Sequence, residues 1–173
     1  MFAIDVLDML IRDSLLDLAN FVARTSWHGR EREAVSLFAF GFLVPRCQPA
    51  GPLREPTQIG LDVAVAQIPG PGRKAHVCKD LVIWPEPAGT CWDASGNPTR
   101  IPLAILEWKA RTDTMCDYDE TWLRDYTSNA LELCGYAVSI NPGGPKTTLS
   151  VSRVNAGVIQ RNWLRFPDNR NAA

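Results

Sequence analysis

From Ile4 to about Arg24, apolar residues recur at helical spacing (Val6, Leu10, Ile11, Leu15, Leu18, Phe21, Val22), with Asp8, Arg12, Asp13 and Asp17 between them. The pattern predicts an amphipathic helix that packs on a core; its stripe is also broad enough to meet a partner. Thr25-Ser26 supplies cap residues, and a second helix is expected from about Gly29 through Phe42, with Glu31, Val35, Phe38 and Phe42 on one stripe. Glu33 points away from that stripe.

The pattern then changes period. Pro45, Pro49, Pro52 and Pro56 make the 44–57 stretch a loop, and Ile59, Leu61, Val63 and Val65 alternate with smaller residues as a strand. Asp62 on that strand reads as an exposed residue, with an added metal ligand as the alternative. Pro69-Gly70-Pro71-Gly72-Arg73 turns the chain back into an antiparallel strand around Asp80. A turn-rich insert, 85–98, follows, and a third strand is expected in the run from Ile101 to Arg111. Asp117 and Glu120 open a helix as cap and N3 residue, with Tyr118, Trp122, Tyr126 and Ala130 spaced by four and Gly135 as its stop. Two more strands are expected at 136–140 and 148–154, joined by a turn at Asn141-Pro142-Gly143-Gly144-Pro145.

The order is ααβββαββ, which predicts an α/β domain with a mixed central sheet flanked by helices. Residues 1–25 form the packing helix, 26–160 the core and 161–173 a C-terminal tail that Trp163, Leu164 and Phe166 could dock. At 173 residues and 46% hydrophobic content the chain is long enough for one proper core. A formal charge of −1 offers no global attraction for a polyanion, so any nucleic-acid affinity must come from a local patch or a partner. Five scattered cysteines without a Cys-x-x-Cys pair read as reduced thiols of a cytoplasmic protein, and no apolar run approaches ~18 residues, so no membrane partner is expected.

The chemistry concentrates in two of the strands. Asp80, Glu107 and Lys109 stand inside apolar runs, where an uncompensated charge costs several kcal/mol. Glu107 and Lys109, two apart, project to one face of their strand, and Leu106, Trp108 and Ala110 to the other. At these residues the chain resembles the PD-(D/E)xK, restriction-endonuclease-like nuclease superfamily: Asp80 on one strand, then Glu107-Trp108-Lys109 on the next. Lys79 stands where the motif's name has Pro, a position that varies in such proteins. Glu31-Arg32-Glu33-Ala34-Val35 is similar to the helix opening of resolvase-type members, which makes Glu31 a site residue with Glu33 as fallback; the alternative is carboxylates that favour a helix terminus.

The resemblance covers about Ser26 to Val154 and implies a metal-dependent nuclease acting on nucleic acid, DNA ahead of RNA; the modest charge adds the expectation of a homodimer or a protein partner that provides affinity. It implies Mg²⁺, with Mn²⁺ as substitute, on Asp80, Glu107, the Trp108 main-chain carbonyl and Glu31, and Lys109 as the group that orients the attacking water. Arg111, Arg124, Arg73 and Lys74 are candidates for substrate phosphates; Arg124 could instead pair with Glu120. Trp92 with Arg73, Lys74 and Arg100 suits nucleic-acid contact or an ordinary exposed loop. A catalytically silent interaction or structural subunit, a hydrolase of other phosphoesters, and a binding protein with plain ion pairs are the rival readings.

Overall fold

The computed structural model describes residues 2–70, 72–114, 116–142 and 146–167. The chain forms a six-stranded mixed sheet in the order β1-β2-β3-β4-β5-β6: Ile59–Ala66, His76–Ile83, Ala104–Ala110, Cys134–Asn141, Thr148–Asn155 and Val158–Phe166. Only β3 and β4 run parallel, because α3 (Asp117–Asn129) carries the chain across the sheet between them. Helices α1 (Phe2–Thr25) and α2 (Glu31–Leu37) cover one face, sharing a core with Leu81, Leu106, Trp108 and Tyr136. α3 covers the other, on Val82, Ile105 and Ala137. The expected turn residues Pro71 and Gly143 to Pro145, and the tail beyond Pro167, lie outside the described residues.

Helix α1 buries Ile11, Leu15, Leu18 and Val22 as expected, with Leu10 and Phe21 packed at the edge of the core; at its start Leu7 and not Val6 faces inward, and Ala19 joins the stripe. Asp8, next on the helix, accepts hydrogen bonds from the Tyr136 hydroxyl and from Arg153 Nε at 3.0 Å, which pins the helix to β4 and β5. The second helix is shorter than the expected 29–42. Arg30, not Thr25 or Ser26, caps it, and after Leu37 it widens into a π-helical turn over Phe38–Leu43. The extra residue in that turn shifts the stripe from i+4 to i+5 beyond Phe38, so Leu43 is buried and Phe42 only half-buried.

Two other corrections concern element ends. Helix α3 starts after Cys116 and stops at Asn129; Gly135 lies in β4, where a Cβ would run into Leu123 of α3. Its buried face is Asp119, Leu123 and Tyr126, at i, i+4 and i+7, and Tyr118 is exposed. The expected tail from 161 is instead most of β6, which pairs antiparallel with β5 from Asn155↔Val158 to Leu149↔Phe166. Alternation there is weak because β6 is an edge strand with only Leu164 fully in the core. Replacing Leu164 by Ala is therefore expected to lower unfolding free energy by about 2–4 kcal/mol in urea denaturation; a loss under about 0.5 kcal/mol would mean β6 is an unpacked tail.

Candidate functional site

The sheet opens at one place. Pairing between β2 and β3 runs only from Ile83↔Ala104 to Leu81↔Leu106, after which the strands diverge. On its other side β2 misses one pair at this level: the ladder with β1 passes in unchanged register from Leu61↔Leu81 to Val63↔Lys79, leaving out Asp62 and Asp80. Asp62 has φ 52, a left-handed conformation uncommon for a non-glycine residue in a strand. Beyond it the facing of β1 reverses: Ile59 and Leu61 pack with the α1 side, Val63 and Val65 with the α3 side. Asp62 itself is exposed and pairs with Arg32 at 3.3 Å.

Asp80 stands at the opening and takes over the missing ladder bond. Its Oδ2 accepts the main-chain N–H of Trp108 at 2.8 Å. That contact ties the two halves of the candidate motif across the gap, and Trp108 itself is anchored, fully buried, against Phe38 with ring centroids 5.2 Å apart. Glu107 and Lys109 then project to the α3 side as alternation requires. Lys109 Nζ donates to the Trp108 carbonyl at 2.7 Å and lies 3.4 Å from Asp119 of α3 and 3.8 Å from Glu31 of α2. Burial pulls the Lys109 ammonium down, but Asp119, Glu31 and Asp80 together outweigh it and hold its pKa above the usual lysine value.

Two participants escape the motif. Lys79, in the position named for proline, is buried and donates to Glu107 Oε1; its ammonium also sits 3.5 Å over the Trp122 ring. Trp122 in turn stacks on Tyr126 at 4.7 Å and donates to Gln67, so the cation is held from both sides. Asp119 is buried under the first turn of α3. Its membership of the Asp119-Leu123-Tyr126 face was the available signal; the rival Tyr118-Trp122-Tyr126 spacing hid it. For Lys79 the signal was an ammonium among strand residues.

Burial is the main force on Glu107 and pushes its pKa up to about 7. Lys79 opposes this by charge and hydrogen bond, and Asp80 and Asp119 add to it. The centre thus holds four carboxyl groups (Glu31, Asp80, Glu107, Asp119) against two ammonium groups, and a cation would complete the balance as Glu107 gives up its proton. The available donors are carboxylate and carbonyl oxygens, which suit Mg²⁺ or Mn²⁺ rather than zinc. Among the described residues no group of three or more His, Cys, Asp or Glu is gathered tightly enough to cage an ion. Such a cation would rest on one or two carboxylates, the Trp108 carbonyl and water, a mode Mg²⁺ commonly uses.

The remaining sequence candidates are spread around this centre. Glu33 folds back to accept the Arg30 main-chain N–H at 2.6 Å. Arg111 follows β3 with φ 65, its N–H held by the Ile140 carbonyl at 2.7 Å. Arg124 bonds Asp125, not Glu120, because Glu120 is buried under Ser152 and Arg161. Arg73 and Lys74 are exposed before β2, and Trp92 folds back from the 85–98 insert against His76, ring centroids 5.1 Å apart. All five cysteines are free thiols, and among the described residues no helix is long and apolar enough to cross a membrane. Comparison with family models, with curated proteins and with solved structures gives no match.

The raised Glu107 pKa carries a stability consequence. Between about pH 4.5, where the unfolded carboxyl loses its proton, and about 7, where the folded one does, the folded state binds more protons. Stability of the protein in EDTA should therefore fall as pH rises through that window. Urea denaturation series should show that fall in the wild type and a flatter profile in Glu107→Gln; parallel profiles would refute the burial of an ionisable Glu107.

Proposed function

We propose that the chain is a metal-dependent nuclease of the PD-(D/E)xK, restriction-endonuclease-like kind, hydrolysing phosphodiester bonds of nucleic acid, DNA in the first place. The observation that carries this reading is the position of Lys109. Its ammonium stands between Glu31 and Asp119, on the carbonyl of the residue whose N–H Asp80 holds, although these groups come from four separate elements. The element order also agrees with the resemblance: Glu31 opens α2, Asp80 is in β2 and Glu107-x-Lys109 in β3.

In this reading Asp80 and Glu107, with the Trp108 carbonyl and Glu31 directly or through water, hold Mg²⁺. Mn²⁺ is the substitute. Bound there, the cation supplies charge for the phosphoryl oxygens and acidifies a water molecule. Lys109 orients the attacking water and stabilises charge developing on the phosphate, a role that fits an ammonium kept protonated by three carboxylates. Asp119 is a positioning residue: it fixes the Lys109 side chain from the α3 side. Lys79 holds Glu107 in the centre and offsets part of its burial.

A second reading has its own observation. The Lys79 ammonium already satisfies Glu107, so the same fold could persist as a silent interaction or structural subunit with an internally neutralised pair. Incubation with supercoiled, linear, single-stranded and branched DNA and with RNA, in Mg²⁺, Mn²⁺ or EDTA, separates the two. Cleavage that needs metal and falls by about a hundredfold or more in Asp80→Ala and Lys109→Ala is the expected result. Failure of both the wild type and Lys79→Met to cut any of these substrates would leave the silent reading.

A further inference from the structure

Next to the carboxylate centre, the connection between α1 and α2 and the residue following β3 line a shallow, solvent-open cleft of about 560 Å³. Its walls include Trp27, His28, Arg30, Glu33 and Arg111. Arg30 directly precedes Glu31, and Arg111 stands two residues beyond Lys109, so the cleft adjoins the place where a scissile phosphate would lie.

Three features give the cleft a chemistry. Trp27 is half-buried with its ring against Gly29, where a Cβ would collide with it, so the indole is a seated platform. Arg30 and Arg111 are exposed and, among the described residues, neither guanidinium has a carboxylate within ion-pairing distance, a state they share with several other surface arginines but here on the wall of one cleft. Glu33, the acid on the wall, is engaged by the Arg30 main-chain N–H. His28 is oriented by its Nδ1, which donates to the Ser26 carbonyl at 2.7 Å and leaves Nε2 for a ligand. The backbone there is fixed in uncommon conformations, with φ 53 at Ser26 and φ 65 at Arg111.

An aromatic platform and two unpaired guanidinium groups lining one cleft match an unstacked base and its flanking phosphates. We propose that this cleft is a subsite for one nucleotide of a single-stranded or frayed nucleic acid, its base on Trp27 and its flanking phosphates on Arg30 and Arg111. A base inside an intact duplex has both faces covered by its neighbours and cannot enter a concave cleft. The subsite therefore makes single strands, ends or flaps the preferred substrate. Its placement beside a scissile bond rests on the nuclease reading; binding itself does not.

The test is fluorescence anisotropy in EDTA, with labelled single-stranded DNA and RNA oligonucleotides and a blunt duplex of equal length. The wild type should bind the single strands more tightly than the duplex. Arg30→Gln and Arg111→Gln should each weaken that binding about five- to tenfold and reduce the salt dependence by about 0.7 in log–log slope, and Trp27→Leu should weaken it about tenfold or more. Arg54→Gln, outside the cleft lining and paired with Glu86 at 2.6 Å, should bind as the wild type does. Gln substitutions at the two exposed arginines keep the fold out of question. Unchanged single-strand affinity in the Arg30→Gln/Arg111→Gln double variant, or tighter binding of the duplex, overturns the subsite. If the subsite variants lose binding while the wild type cleaves nothing in Mg²⁺, the subsite stands and the nuclease reading fails. If cleavage proceeds and the double variant binds normally, the subsite alone fails.

Discussion

The structure turns on a single break in a hydrogen-bonded ladder. Two strands that pair through three residue positions come apart after Leu81, and the main-chain N–H of Trp108 that should have found a carbonyl finds the Asp80 carboxylate instead. A backbone donor buried without a partner would cost about 1–3 kcal/mol, so the side chain that fills the gap is structural as well as chemical. The left-handed Asp62 on the outer strand rotates the β1–β2 hairpin at the same level, which is what lets the sheet open without losing its core.

Opening the sheet places charges where neither water nor hydrophobic packing can absorb them. Glu107 is nearly inaccessible, and Lys79, Trp122 and Tyr126 form a chain of contacts whose first member offsets its burial. Lys109 is treated oppositely: half-exposed, surrounded by acids and kept charged. One strand thus presents, two residues apart, a carboxyl whose ionisation is suppressed and an ammonium whose ionisation is reinforced. Divergent environments of that kind are characteristic of acid–base and metal-assisted chemistry. The excess of carboxyl over ammonium groups leaves an electrostatic demand that a hard divalent cation would meet.

Much of this was legible in the residues. The strand alternation around Glu107 and Lys109, the apolar run from Leu81 to Trp84 and the helix stripe through Glu31, Val35 and Phe38 are period signals, and they located the elements that meet at the centre. What was not legible depended on tertiary contacts. At the start of α1 Leu7 and not Val6 is buried, and the Asp8 beside it is held by Tyr136 and Arg153, from the far end of the chain. The π-helical turn shifts the second stripe by a single residue, which no 3.6-residue pattern contains. β6 was hidden because an edge strand buries one face thinly, and its arginines read as tail. Lys79 was read as a tolerated departure from a motif, whereas its partner Glu107 lies 28 positions away and becomes visible only when β2 and β3 are placed side by side.

The central claim is that these groups form a cation-binding centre, and anomalous scattering from crystals soaked in Mn²⁺ tests it most directly. The account predicts a manganese peak beside the Asp80 and Glu107 carboxylates and the Trp108 carbonyl, absent from Asp80→Ala crystals. Crystals that show no peak there at saturating Mn²⁺, with Lys79 still seated on Glu107, would contradict it.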